Sequence, residues 1–309
     1  MRIGMIMDSL SQMSFTEALD AAASLGIETL EVPMGNWSPA PHVNLPELVA
    51  SADARRTFSD AITSRGLRIE ALNASGNQLH PKSGAQHDAV IRDTMRVAGE
   101  LGVTKIVMMS GLPAAPGDSQ PNWITACWPD EITPILEWQW TEVAIPYWLG
   151  LVEFAKSQGI EQIALELHPN QLVFNVRTAN RLRAAVGDIV GVNMDPSHLM
   201  WMGADPLKAI DALGSAVFHV HAKDTKITEI AGVDSCYETL PWEFVDQRAW
   251  NYVTLGRGHA GGAAWWHEFV EHLRGVGYDG VLSIEHEDMA QSQLAGVEES
   301  VALLKGVIA

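Results

Sequence analysis

Residues 189–195 read IVGVNMD, and the chain continues as PSHL over 196–199. The stretch begins as an apolar run and finishes in Asp195 and His198 with a proline between them, so a strand buried on both faces ends in a carboxylate followed closely by an imidazole. Double-sided burial is the mark of a parallel sheet covered by helices. The same kind of run recurs at RIGMIM (2–7), IETLEVP (27–33), LRIEALN (67–73), KIVMMSG (105–111), QIALELH (162–168), VFHVHAK (217–223) and VLSIEHE (281–287). Between the runs lie amphipathic segments such as SFTEALDAAASLG (14–26), HDAVIRDTMRVAGELG (87–102), TANRLRAAVG (178–187) and AWWHEFVEHLRGVG (264–277), each ending in a glycine where a helix would stop. Eight strands alternating with helices, without a linker or low-complexity segment, give an α/β chain: one (β/α)8 TIM barrel over residues 1–309, with long inserts after strands four and seven. An open doubly wound sheet is the alternative, and MIMDSLSQ after the first strand lacks the G-x-G-x-x-G loop of its dinucleotide-binding form.

Composition narrows the function. The chain has 309 residues, 47% of them hydrophobic, and 38 acidic against 20 basic residues give a net charge of −18. That balance opposes nucleic acid or an anionic membrane as partner. Two cysteines, Cys127 and Cys236, make neither a disulfide framework nor a zinc-finger pattern. The N-terminus reaches Asp8 too soon for a secretory signal, and no apolar run is long enough to span a bilayer, so a soluble cytoplasmic protein is expected.

The polar residues fall at corresponding places on successive strands. Glu166, Asp195, His221 and Glu285 close strands five to eight at the carboxyl end, where barrel active sites are built. Any one of them alone reads equally well as a helix cap or a salt-bridge partner. Four in register converge on one mouth, and carboxylates so gathered repel one another unless a cation sits among them. The oxygen-rich set favours one divalent ion, Mn²⁺ first, with Mg²⁺, Co²⁺, Zn²⁺ and Fe²⁺ also acceptable to it.

This order of Glu, Asp, His and Glu, with DPSH at strand six and HVH at strand seven, resembles the xylose-isomerase-like barrel superfamily of sugar isomerases and epimerases. That group includes ketose 3-epimerases, inosose-processing enzymes and, more distantly, endonuclease IV. The insert PNWITACWPDEITPILEWQWTEVAIPYW, LELHPN, DPSHLMWMGADP, HVHAKDT and the segment from LGRGHAGG to LSIEHED look like the subgroup labelled sugar phosphate isomerase/epimerase, near the barrel subunits of bacterial C-deglycosidases, which cleave 3-oxo-C-glycosides and work with a small β-rich partner. The resemblance implies Glu166, Asp195, His221 and Glu285 as metal ligands. A metal so held chelates a carbonyl and a neighbouring hydroxyl and stabilises an enediolate, while Glu166 and Glu285 remove and return the proton. Endonuclease-like hydrolysis is disfavoured by the charge.

Other residues carry open alternatives. His168, two past Glu166, is either a separate base suited to an elimination or a residue packed at the strand end. His198 either hydrogen-bonds a substrate oxygen or supports Asp195. Lys223 either neutralises a substrate oxygen or pairs with Asp224 or Glu287. His80, in NASGNQLHP with Asn73 and Asn77, is a candidate substrate contact, and Arg257, in LGRGHAGG with His259, either grips an anionic group in a loop that closes over the site or only anchors that loop. Glu31, at the end of strand two, either lies in the mouth too or is a rim carboxylate hydrogen-bonded to backbone. The inserts 112–141 and 224–256 are rich in tryptophan, which covers a hydrophobic substrate, a second copy of the chain, a small partner subunit, or simply the barrel itself. The expected function is a metal-dependent sugar isomerase or epimerase acting on a keto-sugar or 3-oxo-glycoside. A lyase releasing the aglycone of a 3-oxo-C-glycoside and a non-catalytic sugar-binding barrel are the alternatives.

Overall fold

A computed structural model describes the whole chain from Met1 to Ala309. Ten strands are present: β1 (Arg2–Ile6), β2 (Thr29–Pro33), β3 (Arg68–Asn73), β4 (Lys105–Met108), β5 (Gln162–Glu166), β6 (Val190–Met194), β7 (Val217–Ala222), β8 (Asp224–Ile227), β9 (Trp250–Val253) and β10 (Val281–Ile284). Eight of them close into a barrel in the order β1-β10-β7-β6-β5-β4-β3-β2, while β8 and β9 form a separate two-stranded sheet. The open doubly wound alternative is thereby excluded. Every strand expected from the apolar runs is present, and β10 is the eighth strand of that expectation. Helices stop where the sequence places their terminal glycines: the helix Phe15–Leu25 opens on a capping box between Ser14 and Glu17 and ends at Gly26, whose left-handed φ of 81° suits a residue without a side chain.

By its contacts the chain separates into two units. The first comprises residues 1–32, 60–70 and 194–309. Within it β1 pairs in parallel with β10, from Arg2 opposite Val281 to Met5 opposite Ile284, and β10 pairs with β7 through Ser283 opposite His221. The antiparallel hairpin of β8 and β9 begins directly after β7, with Asp224 opposite Val253 and Thr225 opposite Tyr252. Trp250 and Tyr252 form a small core with Ala249, and Trp201 stacks on Trp250 with ring centroids 4.8 Å apart. The tryptophans of this insert therefore divide: Trp250 packs the hairpin down, whereas Trp242 stays half exposed.

The second unit comprises residues 33–59 and 71–193. Here β4 pairs with β5 from Lys105 opposite Gln162 to Met108 opposite Leu165, and β5 with β6 from Ile163 opposite Val190 to Glu166 opposite Asn193. The connection after β4 is irregular only as far as Glu131. From Ile132 to Ser157 it is helical, with a π-helical stretch over Gln139–Ala144. That stretch buries Trp140, with the Arg181 guanidinium 4.6 Å from its ring centroid, while Trp128 lies open to solvent. No helix of the chain is long and apolar enough to cross a membrane.

Candidate metal centre

The last residues of β7 build the site's first half. Strand alternation puts His219 and His221 on one face, and both are fully buried. Both meet Glu31 of β2: its Oε2 lies 2.7 Å from His219 Nε2 and 3.0 Å from His221 Nε2, and it accepts a third hydrogen bond from Ser283 Oγ at 3.0 Å. Glu31 is thus an interior anchor and not the rim carboxylate its position suggested. Burial works against its ionisation, but His221 and His219 outweigh burial and hold its carboxyl well below the usual carboxylate range.

The other nitrogen of His221 faces the opposite way. Its Nδ1 lies 2.9 Å from Glu285 Oε2 and 3.9 Å from Asp195 Oδ2. Asp195 begins the short helix Pro196–Trp201, where its Oδ1 accepts the Ser197 N–H at 2.8 Å while its second oxygen faces His198 and His221. Glu285 follows β10 directly, and the backbone there is clasped by Ser9, whose hydroxyl donates to Ile284 O at 3.2 Å and accepts the His286 N–H at 2.9 Å. Lys223 Nζ bridges Glu285 at 3.2 Å and Glu287 at 2.6 Å and sits 4.2 Å from the centroid of the Tyr252 ring. Burial raises the cost of the Glu285 charge, yet Lys223 and His221 keep its carboxyl well below the usual range.

Glu166 ends β5, and His168 lies two residues beyond it. The ligand atoms of Asp195, His221 and Glu285, which belong to one unit, all fall within 4.8 Å of one another. Glu31, His219 and His221 form a second group that could hold an ion. The acidic set around His221 Nδ1 suits a cation on its own chemistry. His221 Nδ1 and Glu285 Oε2 are buried and close, but their contact lacks the direction of a hydrogen bond. A positive ion at His221 Nδ1 would take the place of the proton that Glu31 and Glu285, despite burial, hold on the ring.

The remaining candidates separate by surroundings. His198 Nε2 lies 3.3 Å from Asp195 Oδ2 and its Nδ1 accepts from the Tyr252 hydroxyl at 2.9 Å, which is the arrangement of a residue supporting Asp195. Burial first, and then Lys223, push the His198 pKa down to about 4 against the pull of Asp195, so the ring is neutral near pH 7. His168 Nδ1 donates to Pro169 O at 2.6 Å, and its ring centroid is 6.0 Å from that of Trp37. His80 Nδ1 accepts the backbone N–H groups of Lys82 and Ser83, and the ring lines a cavity of about 440 Å³ with Trp37, His87, Trp123 and Asn170. Arg257 pairs with Glu299 at the surface, the anchoring alternative. Its loop is no loose lid: the buried Asp224 carboxylate accepts the N–H groups of Gly256, Gly258 and His259, and a Cβ on Gly258 would come within 2.4 Å of Asp224 Oδ1. Sequence reasoning missed His219 and Tyr252 as members of the site. The alternation H-V-H marked the first, and nothing local marked the second.

The family described as xylose isomerase-like TIM barrel matches residues 19–307. The chain belongs to that family. Among curated relatives, this xylose isomerase-like barrel is 48% identical over 313 residues to the uncharacterized protein YfiH of Bacillus subtilis (strain 168), covering all of this chain and 99% of the relative. Its fold is similar to that of a D-psicose 3-epimerase with D-tagatose from Clostridium cellulolyticum H10, with a TM-score of 0.63, 16% identity and coverage of 100% of this chain and 98% of the other. It is also similar to the IOLI protein with a binding zinc atom, with a TM-score of 0.64, 18% identity and coverage of 100% and 96%.

Proposed function

We propose that this chain is a divalent-metal-dependent sugar isomerase or epimerase that acts on a keto-sugar or 3-oxo-glycoside by moving a proton next to a carbonyl. The convergence of Asp195, His221 and Glu285 carries the reading, with Glu166 at the end of β5 proposed as the fourth ligand. Glu166, Asp195 and Glu285 would hold the ion through oxygen and His221 through Nδ1, a set suited first to Mn²⁺. When bound, a divalent ion polarises a carbonyl oxygen and so acidifies the adjoining C–H. The carboxylates of Glu166 and Glu285 would take that proton and return it. Lys223, held between Glu285 and Glu287, presents a cation beside the carboxylates for a substrate oxygen. His198 orients Asp195 from one side while Tyr252 fixes the ring from the other. The epimerase fold of the D-psicose 3-epimerase neighbour supports the class of reaction by analogy.

The test is exchange of solvent deuterium into the carbon next to the carbonyl of a ketose panel and of 3-oxo-glucosides, with Mn²⁺ and with EDTA. Metal-dependent exchange supports the reading. An inert, metal-loaded protein toward every member would sink it and leave a sugar-binding barrel.

One observation favours a second reading, elimination of the aglycone from a 3-oxo-C-glycoside. Pro169 O can only accept, so His168 Nδ1 carries a ring proton and a neutral ring would have its lone pair on Nε2. Release of an aromatic aglycone under the same conditions distinguishes it.

A further inference from the structure

We propose that Glu31 is the positioning residue of the metal centre, the carboxylate that holds His221 in the tautomer whose Nδ1 is open to an ion. The inference rests on the metal centre proposed above and adds a residue to it. An ionised carboxylate only accepts hydrogen bonds. Glu31 faces His219 Nε2, His221 Nε2 and Ser283 Oγ at 2.7–3.0 Å, so each of these atoms presents a proton to it. An ion at Nδ1, the atom that faces Glu285 and Asp195, needs a ring with a single N–H, and the hydrogen bond to Glu31 keeps that proton on Nε2. Metal-bound histidines are oriented in this way by a carboxylate on the far nitrogen. The competing occupant of this spot is an ion held by Glu31, His219 and His221 themselves. Protons fit better, because three donors at hydrogen-bond length already converge on Oε2.

The experiment is titration of the EDTA-stripped full-length protein with Zn²⁺, followed by calorimetry, for the wild type and Glu31→Gln. The amide can donate to His221 Nε2 and drive its proton to Nδ1, so the expected result is one ion per wild-type chain and roughly 10–100-fold weaker binding in the variant. Equal affinities would overturn the inference while leaving the metal centre standing, and two ions per wild-type chain, one lost in the variant, would make Glu31 a ligand instead. A wild type that takes up no Zn²⁺ overturns the metal centre and this inference together. Should Glu31→Gln fail to fold, ring ¹⁵N spectra of the Zn²⁺-loaded wild type decide: a protonated Nε2 and a metal-bound Nδ1 on His221 are expected, and coordination through Nε2 refutes the assignment.

Discussion

Asp195 and Asp224 belong to the same unit and are both wholly buried, yet their surroundings differ in kind. Asp224 is saturated by donors fixed in the backbone and core: the N–H groups of Thr225, Gly256, Gly258 and His259 and the indole of Trp266. Asp195 spends one oxygen on a helix cap and turns the other toward two imidazoles. The first carboxylate is a structural rivet, since its charge is neutralised by dipoles that cannot leave. The second is surrounded by groups that titrate, the His198 and His221 imidazoles, instead of by fixed dipoles. Burial alone therefore does not mark a functional carboxylate; the nature of its partners does.

The same substitution at the two positions tests this contrast most strongly. Asp195→Asn retains a helix-capping oxygen, so it is expected to lower metal-dependent turnover by about 10²–10⁴-fold with little change in unfolding free energy. Asp224→Asn turns an NH₂ toward backbone donors and is expected to cost roughly 3–5 kcal/mol in urea unfolding of the metal-free protein. An outcome with the two effects exchanged would break the comparison.

Acid sharpens it further. With His198 held at about 4 in the folded chain and near 6.5 when unfolded, the unfolded state binds the extra proton in between. The neutral ring's contribution is complete above pH 6.5 and is lost as pH falls toward 4, by about 3 kcal/mol, a slope that His198→Phe should remove. Tyr252→Phe, which deprives His198 Nδ1 of its donor, should cost about 1 kcal/mol in thermal unfolding. Arg257→Ala removes only a surface ion pair, and its effect on the same measurement should stay below about 1 kcal/mol.

Much of this was legible in the sequence because it is written in local periodicity. Double-sided apolar runs marked every barrel strand, and the strand ends marked Asp195, His221 and Glu285, which lie beside one another in one unit. What the sequence hid lies in contacts between distant segments. Glu31 looks like any polar residue in an apolar strand, and only closure of the sheet brings it onto His219 and His221. Tyr252 is concealed in an insert whose hairpin pairing no turn motif announces. The roles of Asp195 and Asp224 are equally invisible, because a strand-end aspartate and a hairpin-opening aspartate differ only in what folds around them.

The pairing of β1 with β10 has a consequence for synthesis. The first strand to leave the ribosome finds its partner on that side only when residues 281–284 emerge, so until then the nascent chain carries an unpaired sheet edge, open to wrong neighbours. Glu285 arrives with that closing strand, and Ser9, made near the start, clasps the backbone on either side of it. Closure of the sheet and the arrival of Glu285 beside His221 are thus a single event.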